Sequence, residues 1–209
     1  MEMNKDIENL PYLSKTALAN YLDKNPNTLR NSISYWVKNK SLIRLKRGFF
    51  VFKSFLDKRD NSLYYSQFLA TKMIEPSYLS KESVLQDYQM LTDIVYGYSI
   101  ITIKKTNSIN NEFGAFNYQS IKKDLFVGFS VKSYGTMEWY VASKAKALFD
   151  YIYFNQNKFN KITKNELSEL RLNLDMMQKN DWREYQKYLL KAPLKMTEIY
   201  KIMKTYVDK

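Results

Sequence analysis

Residues 24–53 carry eight Lys or Arg side chains and no Asp or Glu, whereas the rest of the chain mixes signs. A run of one sign suits a row of phosphates, because each cation that meets a phosphate releases a condensed counterion. The same run holds groups that read base edges. Arg30 offers a forked donor, Asn31 a donor and an acceptor together, and Ser34 a hydroxyl. Thr28, Lys38, Lys46 and Arg47 suit phosphates or the minor groove, and Arg44 completes the candidate DNA-binding set. The plainer reading is a solvated helix and hairpin whose lysines only keep a core element soluble. It leaves the missing carboxylates unexplained.

Positioning these groups requires a helix and a hairpin. Leu29, Ile33, Trp36 and Val37 recur at helical spacing and form one apolar stripe, which leaves the polar set on the other side. Pro26 suits the first turn, Asn25 or Asn27 can cap it, and the helix fades at Asn39. Two apolar runs, 42–45 and 49–52, flank Lys46-Arg47-Gly48, where glycine can supply a positive φ for a tight turn. An earlier helix from 14 or 15 to 21 or 22 has Leu13, Ala17, Leu18, Tyr21 and Leu22 on one side, and 23–27 is the turn between the two. The order is that of a helix-turn-helix with a basic wing. Residues 3–9 read as a further short helix, and the charged run 57–61 as a boundary between domains 1–60 and 61–209.

No catalytic constellation appears elsewhere. Zero Cys and zero His remove thiolate and imidazole nucleophiles, bases and metal ligands. Asp87, Asp93, Asp124, Glu138 and Asp150 are scattered singly, and Gly97, Gly114, Gly128 and Gly135 form no phosphate loop. What remains is a serine-lysine arrangement such as Ser143 with Lys146, a weak signal. We therefore expect no enzyme, no cofactor and no metal. Tyr64, Tyr65, Tyr151 and Tyr153 can stack on unpaired bases but read more simply as packing, and Lys104, Lys105, Lys122 and Lys123 form a second basic cluster of phosphate-binding or merely solvated character.

A hydrophobic share of 45% supplies cores, and 5 Gly with 4 Pro leave no long flexible linker. The net charge of +12 points to a polyanion. Neither a membrane span nor the apolar run of a signal peptide is visible, so the expected location is cytoplasmic. After residue 61 the pattern predicts helices over 62–74 and 80–90, the latter capped by Ser80. Four strands follow, in YSIITIKKT, FGAFNYQSI, LFVGFSVKSY and TMEWYVAS. Helices then start after Ser143, at a Thr163–Glu166 capping box running through Leu167, Leu170 and Leu174, at Asp181 as cap, and after Pro193. The fold class is α+β: an N-terminal winged helix-turn-helix, then helices around a small, mainly antiparallel sheet.

Five strings, PSYLSKESVLQDYQM (76–90), SIITIKKT (99–106), FGAFNYQSI (113–121), LFVGFS (125–130) and VASKAKALFDYIY (141–153), together resemble the AbiEi antitoxin family of type IV toxin–antitoxin, or abortive infection, systems. The family also places a winged helix-turn-helix in front, so the resemblance covers about 12–155; beyond that only helical character matches. It departs at Ser143-Lys144-Ala145-Lys146, where the family often has a proline and an acid. The resemblance implies repression of the protein's own operon through promoter inverted repeats in double-stranded DNA. It also implies that the protein counteracts a co-encoded nucleotidyltransferase-like toxin without a stable complex, and thus a role in phage resistance. The alternatives are a winged-helix transcriptional regulator whose second domain senses a ligand or dimerises, and a protein-interaction module.

Overall fold

A computed structural model describes residues 7–58, 62–92, 96–159 and 161–207. Of the expected first helix, residues 3–6 lie outside the described range and Ile7–Asn9 forms one 3-10 turn. Ser14 caps helix α1 (Lys15–Leu22), its Oγ accepting from the Ala17 amide at 2.9 Å. Asp23 turns the chain at φ 45°, and Asn25 caps α2 (Pro26–Lys38) by accepting from the Thr28 amide at 2.9 Å. Capping relieves amides that no preceding turn can accept. Strands β2 (Leu42–Lys46) and β3 (Phe49–Phe52) make the hairpin around Gly48, φ 77°, and a two-residue strand β1 (Leu13–Ser14) pairs with β3 on its other side. A single turn, α3 (Lys53–Leu56), follows. Of the expected boundary, residues 59–61 lie outside the described range.

Helix α4 (Ser62–Lys72) leads into β4 (Ser77–Leu79), the short α5 (Glu82–Leu85) and then β5 (Tyr98–Thr102), β6 (Asn107–Asn111), β7 (Gly114–Ser120), β8 (Phe129–Tyr134) and β9 (Met137–Ala142). The sheet order is β6-β7-β5-β4-β9-β8, with β4–β9 and β5–β7 parallel and the other pairs antiparallel. Two expectations are corrected here. Only one turn of the helix expected over 80–90 exists, and the sheet has six strands where four were expected. Ser77–Leu79 is buried on both faces, so it shows no alternation to betray a strand. Asn107–Asn111 is an edge strand so polar that it reads as a turn.

Alternate residues of the sheet face two layers. Ser77 and Tyr118 donate to the carbonyls of Thr71 and Ala70 on the α4 side, while Tyr78 reaches Asp150 on α6 (Lys144–Asn155) behind the other face. The chain closes with α7 (Lys164–Ser168), α8 (Lys179–Leu189) and α9 (Leu194–Val207). Thr163 caps α7 as expected, but the helix stops at Ser168, and Leu174 belongs to a separate 3-10 turn. Asp181 is not the α8 cap. It lies inside the first turn and accepts from the amide of Gln178, which is.

Two apolar cores meet at the hairpin. Leu42, Phe50 and Phe52 pack with Leu18, Leu29 and Ile33 in a small core, whereas Leu45, Val51 and Phe55 belong to the large core of the six-stranded sheet. The hairpin is therefore a wall shared by both, and Asn111 on β6 ties it further by donating to the Leu45 carbonyl at 2.9 Å. Among the described residues no helix is long and apolar enough to cross a membrane.

Candidate nucleic-acid interface

Helix α2 divides its sides sharply. Leu29 and Ile33 are buried, Trp36 and Val37 half-buried, and Thr28, Arg30, Asn31, Ser34 and Lys38 are all exposed. The structure thus gathers five candidate residues on the open surface of one helix. At 100° per residue, Asn31, Ser34 and Lys38 lie near the centre of that surface, with Arg30 and Thr28 on opposite flanks. Tyr35, 64% exposed, and Asn27, also exposed, share it and were not among the candidates. Their signal was present in the spacing, since Asn27, Asn31, Ser34 and Lys38 recur at three and four and Tyr35 falls outside the stripe of Leu29, Ile33, Trp36 and Val37. Lys24 braces the turn against the helix: its Nζ donates to Ser32 Oγ at 3.0 Å and lies 5.5 Å from the centre of the Trp36 ring.

The hairpin treats its cations unequally. Arg44 and Arg47 are exposed, with the Arg44 guanidinium 5.9 Å from the Phe50 ring centre. Lys46 is half-buried instead. A break in register between Arg44 and Lys46 places Lys46 opposite Phe49. One extra residue in a strand reverses which face the next side chain takes. The Lys46 ammonium therefore points to the large-core side, donates to the Met73 carbonyl at the end of α4, and sits 4.7 Å from the Phe49 ring centre. Burial pushes its pKa down. Lys46 is thus not displayed as Arg47 is, and Arg47 and Lys40 are both exposed.

The second basic cluster owes its existence to strand pairing. Parallel register sets Thr102 beside Ser120, so Lys104 and Lys105 leave the sheet at the same end as Lys122 and Lys123, and all four are exposed. Of the tyrosines, Tyr65 is buried and donates to the Pro11 carbonyl at 2.8 Å, Tyr64 stacks on Tyr134 at 4.7 Å, Tyr153 stacks on Phe149 at 5.9 Å, and Tyr151 is half-buried. Packing engages them.

Ser143 and Lys146 do not form a serine-lysine pair. Ser143 Oγ donates to Glu184 Oε1 at 2.6 Å and accepts from the Lys146 amide, while Lys146 Nζ binds Asp150 Oδ1 at 2.6 Å. Asp150 Oδ2 accepts from Ser80 at 2.7 Å and Tyr78 at 3.0 Å. Both members of the ion pair are fully buried. Burial pushes the Asp150 carboxyl up and the Lys146 ammonium down, and each is opposed by its partner. Three donors converging on one carboxyl favour its ionised form. The cluster clamps β4 to α6 and holds no accessible nucleophile. Gly128 makes room for its neighbours: a Cβ there would lie 2.1 Å from Tyr188 Oη and 3.1 Å from Lys146 Cγ. Asp87, Asp124 and Glu138 are exposed, and Asp93 lies outside the described residues.

No protein-family model matches the chain, and comparison with curated proteins finds no match.

Proposed function

We propose that the chain is a DNA-binding protein of the winged helix-turn-helix type, with α2 as its recognition helix and the β2–β3 hairpin as its wing. The observation that carries this reading is the open surface of α2, where a guanidinium, a carboxamide, two hydroxyls and an ammonium stand exposed above a buried Leu29–Ile33 seam. Arg30, Asn31 and Ser34 read base edges in the major groove; Thr28, Lys38, Arg44 and Arg47 hold phosphates or enter the minor groove. Lys46 stiffens the wing in this scheme. The likeness to AbiEi antitoxins extends the proposal to repression of the protein's own operon through inverted repeats, and to neutralising a nucleotidyltransferase-like toxin encoded beside it.

A gel shift on the DNA upstream of the gene tests the first part. Arg30→Ala is expected to cost about 1–3 kcal/mol on the specific site and to relax sequence preference. Absence of any specific complex at low salt overturns it. Co-expression of the intact chain with the neighbouring gene product tests the second part; growth arrest that the chain does not relieve removes the antitoxin assignment.

A further inference from the structure

A cleft of about 300 Å³ opens on the α4 side of the large sheet, bounded by α4, α5, the start of β5, the β6–β7 turn and β8. Leu79, Val84, Val141 and Tyr98 line it together with Gln67 and the exposed Gln86, Asp87 and Lys132. None of the last four side chains has a hydrogen bond or ion pair with another described residue. Elsewhere in this chain lysines near carboxylates close onto them, as Lys53 does with Asp57 at 2.6 Å and Lys144 with Asp181 at 2.7 Å. Asp87, in the turn after α5, and Lys132, on β8, line the same cleft; they form no salt bridge, although the Lys132 charge acts on the Asp87 carboxyl.

Opposite charges lining one small cavity match a ligand that carries both. We propose that the cleft binds a free α-amino acid, with its ammonium on Asp87, its carboxylate on Lys132 and its side chain against Leu79, Val84 and Tyr98. The Gln67 and Gln86 carboxamides can donate to the carboxylate or accept from the ammonium, so they complete either end without adding charge. Partial burial pushes the Asp87 carboxyl above its ordinary value even though Lys132 pulls it down, and a bound ammonium offsets that cost. Size and charge narrow the class. A volume of about 300 Å³ lies at the lower limit of small-molecule sites, and a rim with one cation and one anion has no surplus positive charge for a phosphate.

The experiment is calorimetric titration of the full-length chain, free of nucleic acid, with each of the common L-amino acids up to about 10 mM. At least one is expected to bind saturably, and its N-acetylated, C-amidated counterpart is not. Asp87→Asn and Lys132→Gln, each checked for an unchanged circular dichroism spectrum, are each expected to weaken binding about tenfold or more, since each removes a charged hydrogen-bond partner. Two substitutions on separate elements guard against one that fails to fold. Absence of binding by every amino acid overturns the proposal. So does equal binding by the blocked compound, by both variants, or a stronger response to nucleosides or nucleotides in the same titration.

Discussion

Replacing Arg47 and Lys46 separately by alanine tests the β2–β3 hairpin at the point where two adjacent cations take opposite sides. In the expected set, Arg30, Lys38, Arg44 and Arg47 are exposed and have no ion pair among the described residues. If each neutralises one phosphate on a duplex of random sequence, where Arg30 has no cognate base edge to read, the slope of log K against log salt is about −3.6, at about 0.9 per contact. Arg47→Ala should bring that to about −2.7 and weaken binding near 0.1 M salt by about eightfold. Lys46→Ala should leave the slope unchanged, because its ammonium already donates to the Met73 carbonyl and lies against the Phe49 ring. Its effect should appear in unfolding instead, as a loss of about 0.5–1.5 kcal/mol for one hydrogen bond and its packing. Fluorescence anisotropy across a salt series gives the slopes, and urea denaturation gives the stabilities. A Lys46→Ala slope as shallow as that of Arg47→Ala would show that the lysine leaves its internal acceptor to meet DNA, and the reasoning from register would fall.

Asp150→Asn strands the fully buried Lys146 and should cost about 3–5 kcal/mol in urea denaturation, while adding Lys146→Met should recover most of it; a single-variant cost below about 1 kcal/mol contradicts the buried clamp. Burial raises the pKa values of Tyr65, Tyr78, Tyr118, Tyr153, Tyr185 and Tyr188. Such groups stabilise the fold below the unfolded tyrosine value of about 10, and that contribution is lost as pH rises toward the folded values, so stability should fall steadily above about pH 10. Ionisation of all 18 tyrosines, read from absorbance, before the circular dichroism changes would argue against it. A fragment of residues 1–60 uncovers Leu45, Val51 and Phe55, whose burial contributes about 5 kcal/mol or more together, and should be unfolded or aggregated; cooperative melting at the temperature of the intact chain is the opposite result.

Much of the first 56 residues was readable because its signals are local. Ser14 and Asn25 cap their own helices, Gly48 turns its own hairpin, and the Leu29–Ile33 seam announces its period without help from distant residues. The large sheet was less readable where strands depart from alternation. Ser77–Leu79 is covered on both faces, and Asn107–Asn111 is held by pairing with β7 and by the Asn111 bond to Leu45, neither of which leaves a mark in composition.

What the amino-acid order determined alone is the carboxylate-free basic run, the caps and turns that make a helix and hairpin of it, and the lack of histidine and cysteine. Those depend on residue type and on neighbours within a few positions. The fold decided which cations remain available. It turned Lys46 inward through a one-residue shift of register, drew Lys146 and Asp150 into a clamp out of reach of solvent, and brought Asp87 and Lys132 to one cleft from elements far apart in the chain. A charge is readable from sequence, but its partner and its solvent are set by whatever chain packs beside it.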